Sequence, residues 1–226
     1  MNISPDAPTK RRSNAAEPLR GSTFDRRLLW KIAIGFLWVS ASCGGLAVLA
    51  MYANSPGPSS AGPRQWPSDS SLQLNEQGST LILFAHPRCP CTRATLGELE
   101  KIVARFQDSV TPWVVFYKPA GSDDRWDQTD LRATAAAIPG VHVVSDPGGI
   151  ETRRFGANTS GETLLYNNQG ELLFNGGITR ARGHAGDNDG RSAIESSLSG
   201  VAPSCSQTPA FGCPIAHSLP PAGEVQ

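Results

Sequence analysis

TLILFAHPRCPCTRATLGEL, residues 80–99, places two cysteines at the junction of two different hydrophobic patterns. Residues 80–87 are a mostly apolar run of strand length, the pattern of a strand buried on both faces. Leu96, Leu99, Ile102, Val103 and Phe106 then recur at helical spacing, which gives an amphipathic helix over 91–106. Cys89 and Cys91 stand at the corner, with His86, Arg88, Pro90 and Arg93 around them. Their spacing is one residue short of C-x-x-C, so a redox pair, a metal clamp and two structural thiols all remain open.

Working outward, residues 113–119 (WVVFYKP) read as a second buried strand. Residues 131–138 suit a helix stopped by Pro139 and Gly140, and 141–146 a short third strand. A helical turn over 151–156 precedes a hairpin over 163–174, whose N-N-Q-G turn offers Gly170 for a positive φ. Residues 191–198 close the unit with a last helix. Alternating strands and helices force parallel pairing with right-handed crossovers, and the hairpin adds an antiparallel edge. No internal repeat is visible.

The chain of 226 residues has no net charge, but the balance conceals an asymmetry. Residues 1–31 carry seven Lys/Arg against three Asp/Glu, leaving thirteen against seventeen for the rest. The main body has no basic stripe, so nucleic acid is not an expected partner. Residues 32–52 carry no charge, and about 20 apolar residues suffice to cross a bilayer core. This run is longer than a signal-peptide core of roughly 7–15 residues and no A-x-A site follows it, so a retained anchor is expected over a cleaved signal. Arg11, Arg12, Arg26, Arg27 and Lys31 place the N-terminus inside by the positive-inside rule. The expected organisation is a basic cytoplasmic leader (1–30), a transmembrane helix (31–53) and a Pro/Gly/Ser-rich tether (54–71). An outer domain (72–200) and a cysteine-containing tail (201–226) follow. The expected location is the cytoplasmic (inner) membrane, single-pass, with the outer domain periplasmic in a Gram-negative-type host.

Of five cysteines, Cys43 falls inside the apolar span. Cys89, Cys91, Cys205 and Cys213 would face an oxidising compartment, where disulfides persist. With Pro90 as first helical residue, Cys89 becomes the cap, and the free N–H groups of the first turn favour its thiolate. Arg88 and Arg93 add positive potential, and His86 is near enough in sequence to exchange a proton. A Cys89–Cys91 disulfide would close a small strained ring and be easily reduced. Cys205 and Cys213 are expected to staple the tail, with Cys213 as resolving thiol at the corner the alternative.

Strand, cysteine corner, hairpin and closing helix over about residues 80–175 resemble the thioredoxin fold. With the membrane anchor they look like the TlpA/ResA group of extracytoplasmic thioredoxins. The H-P-x-C-P-C corner and G-C-P tail look closer still to bacterial RedB-type proteins. The resemblance implies a thioredoxin-like α/β fold, a mixed central sheet flanked by helices behind a single transmembrane helix. It implies thiol–disulfide exchange on a protein thiol or disulfide, with an electron donor or acceptor that the sequence does not name. It maps the attacking cysteine onto Cys89 and the second cysteine onto Thr92, leaving Cys91 to resolve or to complete a reducible disulfide. It also puts Gly161 or Glu162 where the family has a cis-proline. A carboxylate at Glu162 facing the thiols would oppose thiolate formation or accept a proton.

No cofactor is expected under this reading. The alternative is a copper(I)-binding or delivery module, with Cys89, Cys91 and His86 as a soft ligand set. The long glycine-rich loop over 176–191 offers Arg180, Arg182 and His184 towards substrate, with Asp187 orienting one of them. His184 is the candidate retained from that loop. His142 lies in a strand pattern and His217 in the tail.

Overall fold

The computed structural model describes residues 26–58 and 61–215. Most of the basic leader, part of the tether, and the end of the tail with His217 lie outside the described residues. The chain divides into two units, 1–47 and 48–226. The first is dominated by helix α1 (Arg26–Ala53), none of whose residues is buried. At 1.5 Å per residue it reaches roughly 40 Å, enough for a hydrocarbon core of about 30 Å. Among the described residues it is the one helix long and apolar enough to cross a membrane.

In the second unit, β1 (Ser79–Ala85), α2 (Thr92–Phe106), β2 (Val110–Lys118), α3 (Asp130–Ala137) and β3 (His142–Pro147) alternate. Then come α4 (Ile150–Arg154), β4 (Glu162–Tyr166), β5 (Leu172–Gly177) and α5 (Asp189–Leu198). The strands form one sheet in the order β3-β2-β1-β4-β5. Strand β1 pairs parallel with β2 and antiparallel with β4, β3 extends the parallel side, and β5 the antiparallel side. This is the mixed, helix-flanked sheet expected from the sequence.

The two-residue period of β1 sorts its side chains into two cores. Leu81, Leu83 and Ala85 join Leu96, Leu99, Ile102 and Val103 of α2, with Ala193 and Ile194 of α5. Ile82 and Phe84 point the other way, into a cluster with Phe155 and Tyr166. Among the described helices only the short α4 lies against β2 and β3 on that side, and segments without regular structure complete the cover of its aromatic rings.

The expected tether does this. Trp66 packs edge-on against both Phe155 and Tyr166, with ring centroids 5.2 Å apart in each case. The Trp66 N–H donates to the Gly170 carbonyl (2.7 Å) and the Leu172 N–H to that of Arg64 (2.9 Å). The Tyr166 hydroxyl donates to the Pro63 carbonyl at 2.9 Å. Residues 54–71 were expected to bury little. Proline and glycine are frequent there, yet Pro63, Arg64 and Trp66 dock that part of the segment onto the hairpin.

The tail is likewise held rather than loose. The Asn175 N–H donates to the Ser206 carbonyl (3.0 Å), the Thr208 N–H to that of Asn175 (3.3 Å) and the Gly57 N–H to that of Ala210 (2.8 Å). Residues 206–208 thus run beside β5, and the chain then crosses towards the carboxyl end of β1.

Candidate functional site at the β1–α2 corner

Strand β1 delivers the chain to the corner at Ala85. Helix α2 begins at Thr92, with Cys91 as its cap residue in helical backbone geometry (φ −65°, ψ −28°). The sequence reading had Cys89 as the cap. Instead Cys89 lies two residues earlier, in a tight turn where its carbonyl accepts from the Thr92 N–H at 3.1 Å. The Arg93 N–H reaches the Pro90 carbonyl at 3.4 Å, so a 3₁₀-type turn leads into the helix. Proline suits this turn because no N–H is required of it.

Cys89 is nevertheless surrounded by donors. The Cys213 backbone N–H lies 3.4 Å from the Cys89 sulfur. Burial pushes the Cys89 thiol up, and hydrogen bonds from the Cys213 N–H, the Cys213 thiol, the Cys91 N–H and the Thr92 hydroxyl outweigh it. The net effect holds the Cys89 thiol below its ordinary value. Its neighbours move the opposite way. Burial, then the charge and hydrogen bond of Cys89, push Cys91 up, with Arg182 opposing. Burial and then the same Cys89 interactions push Cys213 up to about 12. Of the three thiols, Cys89 loses its proton first.

Access runs against this order. Cys89 is 1 % exposed, whereas Cys91 and Cys213 are half-buried. The tail lies against Cys89, with the Cys213 N–H on its sulfur. Residues 213–215 lie antiparallel to the loop before β4, with the Ser160 N–H donating to the Cys213 carbonyl and the Ile215 N–H to that of Asn158, both at 2.8 Å. Thr159 and Pro214 face each other between these two bonds. That is a ladder position where no hydrogen bond is exchanged, so the missing proline N–H costs nothing there. Gly212 packs so close that a Cβ would lie 1.8 Å from the Ser160 carbonyl oxygen. Each residue of the G-C-P run therefore has its own place at the corner.

Two further side chains complete the site. Ser160 bonds the Thr92 hydroxyl (2.9 Å) and accepts from the His86 N–H (2.9 Å), tying the loop before β4 to the corner. Arg182 donates to the Gly212 carbonyl and, through Nε, to the Ser55 carbonyl at 3.2 Å. Its guanidinium is the cation that acts on Cys91 and Cys213.

The other candidates have different partners. Arg88 stacks on Trp126, 4.8 Å from the ring centroid, and Arg93 pairs with exposed Asp130. His86 packs against Trp126 and Tyr117, and its Nδ1 accepts from the Arg88 N–H at 3.2 Å. Burial, aided by Arg88, holds its imidazole below the ordinary value. Buried Glu162 uses its carboxylate to accept from the backbone N–H groups of Asn158 (2.9 Å) and Thr159 (3.4 Å), anchoring the loop that receives the tail. His184 and Arg180 are exposed, and Asp187 pairs with Arg191 at 2.8 Å. His142 stacks on Trp113 at the sheet edge, with centroids 4.6 Å apart. Cys205 packs against the first core cluster and is not paired with Cys213. The expected staple is not formed, because the strand pairing of residues 213–215 carries Cys213 to the corner. Among the described residues, no group of three His, Cys, Asp or Glu side chains has the arrangement of a metal site.

A β1–α2 cysteine corner on a sheet ordered β3-β2-β1-β4-β5, with a terminal hairpin and closing helix, decides the fold. The fold is thioredoxin-like. The thioredoxin-like domain is similar to an uncharacterized conserved protein from Geobacillus kaustophilus, with 16% identity, a TM-score of 0.53, and 65% of this chain and 79% of that chain covered. It is also similar to a hypothetical protein from Sinorhizobium meliloti, with 19% identity, a TM-score of 0.53, and 71% and 93% covered. A secreted disulfide oxidoreductase of Mycobacterium tuberculosis matches with 14% identity and a TM-score of 0.40, over 55% and 83% of the two chains. No protein-family model and no curated protein matches the chain. Thr92, Ser160 and Gly212 are the site residues that sequence reasoning gave no role. The G-C-P run and a threonine three residues after Cys89 were the available signals.

Proposed function

We propose that the chain is a membrane-anchored thiol–disulfide oxidoreductase, with α1 as the anchor and the thioredoxin-like domain outside the cytoplasm. The observation that carries this reading is the buried Cys89 sulfur with the Cys213 backbone N–H on it at 3.4 Å. Two backbone N–H groups, a thiol and a hydroxyl favour its ionised form while the adjacent thiols keep their protons. A thiolate is the attacking species in exchange, and a protonated thiol beside it is the species that can take over once its own proton leaves.

In the reductive direction, the Cys89 thiolate attacks one sulfur of a substrate disulfide. A mixed disulfide forms and the other substrate sulfur leaves as thiolate, taking a proton from solvent. A second thiol of the chain then attacks the Cys89 sulfur, and the remaining substrate thiol is released. The reverse sequence oxidises a dithiol substrate. Protein thiols or disulfides are the substrate class, and a second redox protein must return the electrons.

Insulin or glutathione-disulfide reduction by the full chain in membranes tests the activity. Exchange that is lost in Cys89→Ser supports the proposal, and equal rates in wild type and Cys89→Ser overturn it. A reporter fused after residue 226 and accessible only from outside the cytoplasm supports the orientation, and one accessible only from inside overturns it.

A further inference from the structure

Cys89 is the thiol that ionises most readily, yet it is buried, with a distant segment of its own chain against its sulfur. That segment arrives from far away in sequence and pairs as a strand with the loop before β4. Adding a strand to exposed backbone is a general way in which a folded domain binds an extended peptide. Here the added strand carries a cysteine, and its own N–H points at the Cys89 sulfur.

We infer that residues 211–215 form a built-in substrate-like strand and that Cys213, rather than Cys91, is the thiol that resolves Cys89. The inference rests on the exchange reading above and assigns the second half of its cycle. The chain's own disulfide is then Cys89–Cys213.

Three observations carry it. The strand is seated by two 2.8 Å backbone hydrogen bonds around the Thr159–Pro214 pair. Gly212 is sterically required for that approach, and Arg182 holds its carbonyl. Both other thiols interact with the Cys89 sulfur, but Cys91 is joined to Cys89 through Pro90 in a turn closed by the Thr92 N–H and the Cys89 carbonyl. A disulfide across that tripeptide would have to bend a turn whose φ is fixed at proline, whereas Cys213 approaches on a separate strand.

The cover sets the order of events. An external disulfide reaches Cys89 only when the tail strand leaves the 158–160 loop. The Cys89 thiolate then attacks, the first substrate sulfur departs as thiolate, and a mixed disulfide remains. Cys89 now carries no charge, so redocking brings Cys213 to a neutral sulfur with Arg182 still beside it. The Cys213 thiol gives its proton to solvent and attacks the Cys89 sulfur. The second substrate sulfur leaves as thiolate and is protonated. Two electrons have passed from Cys89 and Cys213 to the substrate disulfide, and a Cys89–Cys213 disulfide remains for reduction by a dithiol partner.

Oxidised glutathione serves as the probe, with the full chain in membranes or detergent. After oxidation, peptide mapping of wild type is expected to yield a Cys89–Cys213 linkage. In a glutathione pulse, Cys213→Ser and Cys213→Ala are expected to keep glutathione on Cys89 about tenfold longer than wild type or more, while Cys91→Ser releases it at a rate closer to wild type than to either Cys213 variant. Retention in Cys91→Ser with normal release in both Cys213 variants overturns the inference and leaves the exchange reading intact. Failure of Cys89 to capture glutathione in any variant overturns the exchange reading, and the inference with it.

Discussion

The backbone N–H of Cys213 points at the sulfur of Cys89 from 3.4 Å, across 124 positions of sequence. The contact joins the tail to the corner at the end of β1 and gives that corner both a cover and a third thiol.

Arg182 is the side chain that ties the tail down, through the Gly212 carbonyl. A hydrogen bond to a charged donor is worth about 1.5–3 kcal/mol, so Arg182→Met should raise the open-tail population roughly tenfold or more. Iodoacetamide labelling of Cys89, followed by mass spectrometry, should quicken by that factor. An unchanged labelling rate would mean that Arg182 does not hold the cover.

The Thr92 hydroxyl is one of the four donors that lower the Cys89 thiol. Thr92→Val keeps the shape and removes the donor, so the Cys89 titration should shift upward. The shift is read from ultraviolet thiolate absorbance, as the difference between each protein and its Cys89→Ser counterpart. A midpoint equal to that of the parent would exclude the hydroxyl from the thiolate's support.

Alkaline stability tests the third thiol. Cys213 is raised in the folded chain to about 12, from an ordinary 9.0. Between those values the unfolded chain has lost the proton and the folded chain has kept it, so stability falls as pH rises through that window. Below pH 9 the group contributes no slope. Cys213→Ser should therefore flatten the decline above pH 9 in denaturant unfolding, and an equal slope in both proteins would contradict the assignment.

Trp66 tests the segment that follows α1. Its ring closes over Phe155 and Tyr166, and loss of a large aromatic from such a cluster costs about 2–4 kcal/mol for a partly buried side chain. Trp66→Ala should lower the unfolding midpoint accordingly. A change within about 0.5 kcal/mol, the range of an ordinary surface substitution, would show that the segment only tethers.

The sheet was legible because its signals are local. The apolar run ending at Ala85, the helical spacing from Leu96 to Phe106 and the turn at Gly170 each announce one element, and their order fixes the topology. The corner cysteines were legible for the same reason. Long-range docking was not. Nothing near residue 66 says that its ring meets Tyr166, and nothing near residue 213 says that its strand meets Ser160. Proline and glycine read as breakers in both segments, whereas in the fold Gly212 permits a close approach and Pro214 fills a ladder position that needs no donor. Charge was misassigned for a related reason. Arg88 and Arg93 are nearest Cys89 in sequence, but they turn to Trp126 and Asp130, and the cation that acts on the thiols comes from the loop after β5.

The proposed chemistry is two-electron exchange at the Cys89 thiolate. Its most direct test is equilibration of the full chain in glutathione redox buffers, with the oxidation state of each cysteine read by mass spectrometry. The expected result is a single two-electron transition that involves Cys89 and disappears in Cys89→Ser. A chain whose Cys89 stays reduced across the whole range of buffers, or whose transition survives in Cys89→Ser, would rule out two-electron exchange at Cys89.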